Sequence, residues 1–167
     1  MLSNNRIIHG FILYCFFCLL IQSCGRSSNN YRGGKDILKS PFEMTLYDSD
    51  YSLAYSRIYT LEADSLHILF KSGIVGESDD VVYEGKLSEE EQKTIARFFN
   101  NFPIEKLESE YIKANVDDGD QKLFIFKIGT TEKKIHVSNY YKDEIADLVG
   151  LLNELVPIEY KIKYIRN

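Results

Sequence analysis

Three observations predict an α+β fold for residues 40–167, a mainly antiparallel sheet with two helices packed on one face. Runs of β-branched and aromatic residues recur along the chain with turn chemistry between them. Two other stretches space their large apolar residues at intervals of three and four, and each stops at a proline, Pro103 or Pro157. The order is about four strands, a helix, two strands, a helix and a strand. That order groups helices on an antiparallel sheet instead of alternating them with parallel strands.

The first three strands are expected at Glu43 to Tyr47, Leu53 to Leu61 and Leu66 to Lys71, with turns at Asp48-Ser49-Asp50 and Glu62-Ala63-Asp64-Ser65. Residues 72–80 read as a loop. Its Gly73 and Gly76 are not a phosphate cradle, because no Lys-Ser or Lys-Thr follows and no helix opens there. Val81 to Leu87 is the fourth strand. Ser88-Glu89-Glu90-Glu91 has the spacing of a capping box, so a helix starts here, with Ile95, Phe98, Phe99 and Phe102 on one stripe. Ile104 to Ala114 is mixed, read as a short helical turn and irregular chain. A hairpin follows, Gln121 to Ile128 and Lys133 to Ser138 about a Gly129-Thr130-Thr131-Glu132 turn. Asn139 is the expected N-cap of a second helix, Tyr140 to Val156, with Ile145, Leu148, Val149, Leu152 and Leu155 on its stripe. Ile158, Tyr160, Ile162 and Tyr164 alternate with polar residues, which predicts a final half-buried strand. No internal repeat accompanies this order.

Ahead of the domain, the apolar run from Phe11 to Ile21 is about half of the roughly 20 residues a helix needs to cross a bilayer core. With Arg6 upstream and the small residue Ser23 after it, the segment has the form of a secretory signal peptide covering residues 1–23. Ile21-Gln22-Ser23-Cys24 resembles the lipobox of bacterial lipoproteins; Ile21 and Gln22 depart from the commonest residues there, and Ser23 fits. Cys15 and Cys18 follow Tyr14 and Phe17, which are too bulky for that cut. The resemblance implies cleavage before Cys24, a diacylglyceryl group on its sulfur and acyl chains such as palmitate in the membrane. Each buried methylene stabilises such an anchor by about 0.8 kcal/mol, so two or three chains hold durably. Gly25 stands where well-known enteric bacteria place an Asp for inner-membrane retention, which points to the outer membrane before the inner. In the order of its elements the body resembles small envelope lipoproteins with domains of unknown function.

Residues 24–39 are rich in Ser, Asn, Gly and charge and read as a flexible tether with a reach of about 20 Å. Cys15, Cys18 and Cys24 are the only cysteines, so a domain at 40–167 must fold without disulfides. The formal charge is −5, and the leader's one charged residue is Arg6, so its loss makes the remainder more acidic. Such a surface repels nucleic acid and anionic headgroups. The membrane is therefore met through the N-terminal lipid, and the expected partner is an envelope protein or glycan.

No residue set predicts a catalytic centre, a cofactor or a metal. Asp117-Asp118-Gly119-Asp120 lacks the spacing and distal Glu of a Ca²⁺ loop and reads as a solvated turn, as does Asp79-Asp80. His67 and His136 sit in predicted strands without a third zinc donor. Ser138 lies two residues from His136 with no Gly-x-Ser-x-Gly elbow. Glu89, Glu90 and Glu91 suit a helix N-terminus. Tyrosine is the compositional outlier, with 12 in the chain. Tyr47, Tyr51, Tyr55, Tyr59, Tyr160 and Tyr164 form the candidate binding surface, since tyrosine buries area while keeping a polar tip. Two functions fit: a tethered non-catalytic module binding protein or glycan, or a small envelope hydrolase with carboxylate or metal chemistry.

Overall fold

The structure, a computed structural model, describes residues 41–49, 54–116 and 119–166. The expected leader, the tether, Cys24, Tyr51, Asp117 and Asp118 lie outside the described residues. Seven strands form one sheet: β1 (Phe42–Ser49), β2 (Tyr55–Glu62), β3 (Ser65–Ser72), β4 (Asp80–Lys86), β5 (Glu110–Ile112), β6 (Gln121–Ile128) and β7 (Thr131–Ser138). Their order is β4-β3-β2-β1-β6-β7-β5. All pairs are antiparallel except β5 with β7, which run parallel. Helices α1 (Glu89–Asn101) and α2 (Asp143–Leu155) pack on one face, giving the α+β architecture.

Strand periodicity builds that covered face. Met44 and Leu46 of β1 face Leu61 and Tyr59 of β2 on one side and Phe126 and Phe124 of β6 on the other. Leu66 and Ile68 of β3 and Ile135 of β7 extend the same layer, and all of these side chains are essentially inaccessible to solvent. α1 adds Ile95 and Phe99, with Phe99 tilted on Phe42 at 4.6 Å between ring centres and edge-on to Phe98, Phe102 and Phe126. α2 adds Ile145, Leu148, Val149, Leu151 and Leu152.

The Ser88 capping box forms as expected: the Glu91 amide donates to Ser88 Oγ at 3.3 Å, and the Ser88 amide donates to Glu91 Oε2 at 2.7 Å. The Ser88 hydroxyl also donates to Glu91 Oε2 at 2.7 Å, and this bond, with that from the Ser88 amide, holds the Glu91 carboxyl below the usual carboxylate range. Since β4 and β5 are opposite edges of the sheet, α1 and its flanking chain carry the backbone from one edge to the other. The β6–β7 turn is tighter than expected, two residues with Gly129 at φ 59°, the positive φ that primed hairpin turns require at their first central position.

Three expectations need correction. Ile104 to Ala114 contains a 3₁₀ turn, Ile104–Lys106, but also the short strand β5. Asn139 does not cap α2: it sits at φ 51° and its Oδ1 accepts from the Asp120 amide at 3.0 Å, while Lys142 occupies the N-cap. The final segment is no strand. Ile158–Tyr160 is a 3₁₀ turn, and the chain beyond it is extended without a ladder partner. Asn153 of α2 replaces the ladder, donating to the Ile162 carbonyl at 2.9 Å and accepting from its amide at 2.7 Å. The period of two survives because an extended chain alternates its side chains whether or not it is paired.

Candidate functional site

The five described tyrosines of the six singled out by composition fall in different environments. Tyr59 is fully buried on the covered face, and its hydroxyl donates to the Tyr160 carbonyl at 2.9 Å. Burial pushes its pKa up to about 12. Tyr160 is half-buried, tilted against Tyr83, and donates to the Val82 carbonyl at 2.9 Å. Tyr55 is 42% exposed and stacks on Phe70. Tyr47 points the other way, to the opposite face of the sheet. Tyr164 stands in the extended C-terminal segment beside Tyr140 and Tyr141, which were not singled out. Tyr59 and Tyr160 are thus brought together inside the fold, and Tyr47 and Tyr164 belong to two separate surfaces.

The first surface is a cleft at one end of the covered face. There the apolar layer gives way to a row of cross-strand partners, Arg57, Asp48 and Lys122, on β2, β1 and β6. Lys122 is 1% exposed. Its ammonium donates to Asp48 Oδ1 at 2.7 Å and to Asp120 Oδ1, and it lies 6.0 Å from the centre of the Tyr164 ring. Burial pushes the Asp48 carboxyl above the usual carboxylate range, against the opposing pull of Lys122.

Beside this trio lies a cleft of about 240 Å³ lined by Lys113, Asp120, Asn139, Tyr140, Tyr141, Tyr164 and Ile165. Gly119 at φ 112° lets the chain turn close under Asn139, where a Cβ would collide with Asn139 Oδ1. The Tyr164 hydroxyl donates to the Tyr140 carbonyl at 2.9 Å and accepts from the Lys142 amide at 3.0 Å. Burial raises its pKa to about 12. One ammonium bridges both carboxylates, so the trio keeps an excess negative charge, and Asp48 does not line the cleft.

The second surface is the face of the sheet opposite the helices. Leu69, Ile58, Tyr47 and Leu123 are successive cross-strand partners on β3, β2, β1 and β6. They form an apolar band about 15 Å wide at the 4.8 Å strand spacing. Val81, 60% exposed, extends it on β4, and Ile125 borders it on β6. Ile58 at the centre is 9% exposed, and Tyr47, Leu69, Leu123 and Ile125 are half-buried.

Polar groups frame the band. On one side Ser49 and Ser56 share a hydrogen bond of 2.7 Å, and Gln121 donates to Ser138 at 2.8 Å and meets His136 at 3.2 Å. On the other, Glu43 pairs with Lys127 at 2.7 Å and His67 with Glu84 at 3.8 Å. His67 and His136 are separated by three strands, about 19 Å, too far to share one metal ion. The residue phase in β1, β2 and β6 was the signal for this band, but those strands are apolar on both sides.

No family model matches this chain, and no curated protein matches it either.

Proposed function

We propose that the chain is a membrane-tethered, non-catalytic envelope lipoprotein, anchored by lipid on Cys24, whose sheet carries a protein-binding face. The half-buried apolar band Leu69–Ile58–Tyr47–Leu123, on the face away from the helices, carries the binding part of this reading. Contiguous apolar surface rimmed by polar residues is a mark of protein interaction sites. An apolar centre rimmed by serines, a glutamine and ion pairs also has the anatomy of a protein interface. The tether is supported by the short apolar run that ends at Cys24, and Gly25 favours the outer membrane over the inner. The acidic balance of the chain favours a protein or glycan over nucleic acid.

Fatty-acid labelling of the protein in its own bacterium tests the anchor. Label is expected on the natural chain and absent from Cys24→Ala, which stays uncleaved; equal labelling of both would contradict it. Capture from the envelope with the lipidated protein tests the face. The expected result is a defined partner that is lost when Tyr47→Lys and Leu123→Lys are introduced together. A partner retained by that folded double variant would remove this face from the account.

A further inference from the structure

The cleft beside Lys122 lies on the covered side of the sheet, apart from the apolar band, and its chemistry is different. Clefts that enclose drug-sized ligands run to roughly 300–1,000 Å³, so a cavity of about 240 Å³ suits a single ring-sized group. Among the described residues its lining charges oppose one another, Lys113 against Asp120, which favours a neutral ligand over an anion or a cation.

The tyrosines narrow the choice further. A cation would be recognised through the electron-rich faces of the rings. The protein's own cations already sit on two of the cleft's rings: Arg166 lies 4.8 Å from the Tyr141 ring centre and Lys122 6.0 Å from that of Tyr164. Tyr140 remains 43% exposed at the cleft, tilted against Tyr111. An exposed ring of this kind attracts C–H bonds, whose weak positive charge meets the negative face of the ring. The Asp120 carboxylate, 45% exposed and held through one oxygen by Lys122, is an acceptor with further lone pairs, and Lys113 is a donor. A pyranose combines one C–H face with a rim of hydroxyls that both donate and accept.

From this combination we infer that the Tyr140–Asp120–Lys113 cleft is a binding site for one neutral saccharide ring. Tyr140 stacks on the C–H face of the sugar, Asp120 accepts from its hydroxyls and Lys113 donates to them. Lys122 is a positioning residue, fixing Asp120 and the Tyr164 ring from beneath.

The test is saturation-transfer NMR on the full-length protein in detergent micelles, with methyl glycosides of common hexoses and of an N-acetylhexosamine as probes and tetramethylammonium as the cation control. The expected result is transfer to the ring C–H protons of at least one sugar and none to tetramethylammonium. Tyr140→Ala should weaken that binding about tenfold, the loss expected of one stacked ring. Asp120→Asn should weaken it comparably, and Lys93→Ala, on the exposed side of α1 and outside the cleft, should leave it unchanged. A melting curve establishes that each variant is folded; because Asp120 also contacts Lys122, Tyr140→Ala is the deciding variant. Transfer to no sugar, transfer to tetramethylammonium instead, or sugar binding indifferent to Tyr140→Ala would overturn the inference. The reading of the opposite face is tested at Tyr47 and stands or falls separately.

Discussion

The two faces of the sheet are built from the same strands and have opposite fates. Along β6, Phe124 and Phe126 are buried under the helices while their neighbours Leu123 and Ile125 are only half-buried on the other side. Both sets are apolar, and covering one set accounts for the fold. The helix-covered layer supplies stability, because burying each large side chain there is worth about 1.5–3 kcal/mol. The outward set contributes less to folding, so its apolar character calls for another explanation, which an interface provides.

That contrast can be broken first at Phe99, fully buried and in contact with four other rings. Phe99→Ala should cost about 3–5 kcal/mol in chemical denaturation. Leu123→Ser, on the open face, should cost well under half of that. Equal losses would mean that both layers hold the fold together.

The charged end of the covered face should respond next. Asp48→Ala leaves Lys122 with Asp120 alone and should destabilise by about 1–3 kcal/mol. Lys122→Met should cost less, since an apolar side chain suits the site and its former partners Asp48 and Asp120 retain access to water. Raising the pH acts on the same region. Tyr59 and Tyr164 have pKa values of about 12 against an ordinary 10.0, so the fold favours their protonated forms. Their contribution is complete below pH 10 and is lost as the pH rises through 12. In an alkaline ultraviolet titration these two should ionise after the exposed tyrosines; a single transition near pH 10 in the folded protein would contradict their placement.

A smaller effect is expected at the α1 cap. Ser88→Ala should lower stability by about 1 kcal/mol. Glu91, whose pKa is lowered by the same bonds, supports the first turn above the ordinary carboxylate pKa and ceases to as the pH falls through its own lowered value. Protection factors of the amides in that turn, corrected for the intrinsic pH dependence of exchange, should therefore fall on acidification, and unchanged protection would count against the capping box.

Much of this architecture is legible in the residues, for local reasons. A capping box, two stripes closed by prolines and runs of alternating residues each act within a few positions, so they locate α1, α2 and most strands. What they miss depends on distant neighbours. β5 is three residues long and exists through its pairing with β7. Asn139 has an N-cap's chemistry, but the Asp120 amide claims its side chain. The C-terminal segment alternates like a strand and bonds to Asn153 instead of a sheet.

The candidate surfaces are harder to read for a related reason. Leu123, Phe124, Ile125 and Phe126 give no phase to β6, so neither the burial of Lys122 nor the outward position of Leu123 can be taken from periodicity. Tyr140 and Tyr141 belong to the predicted helix in sequence and precede α2 in fact, which is how they reach the cleft. Lys122 is in phase with Phe124 and Phe126, and that is the one trace of its burial a sequence could offer.

Site-specific photo-crosslinking in the living bacterium addresses the difference between the two faces most directly, with the reactive group at Tyr47 or Leu123 on the open face and, for comparison, at Glu90 on the exposed side of α1. A discrete adduct of one mass at both open-face positions and none at Glu90 is the predicted result. Adducts at Glu90 alone, or no adduct at Tyr47 and Leu123 in a correctly lipidated, folded protein, would contradict the account.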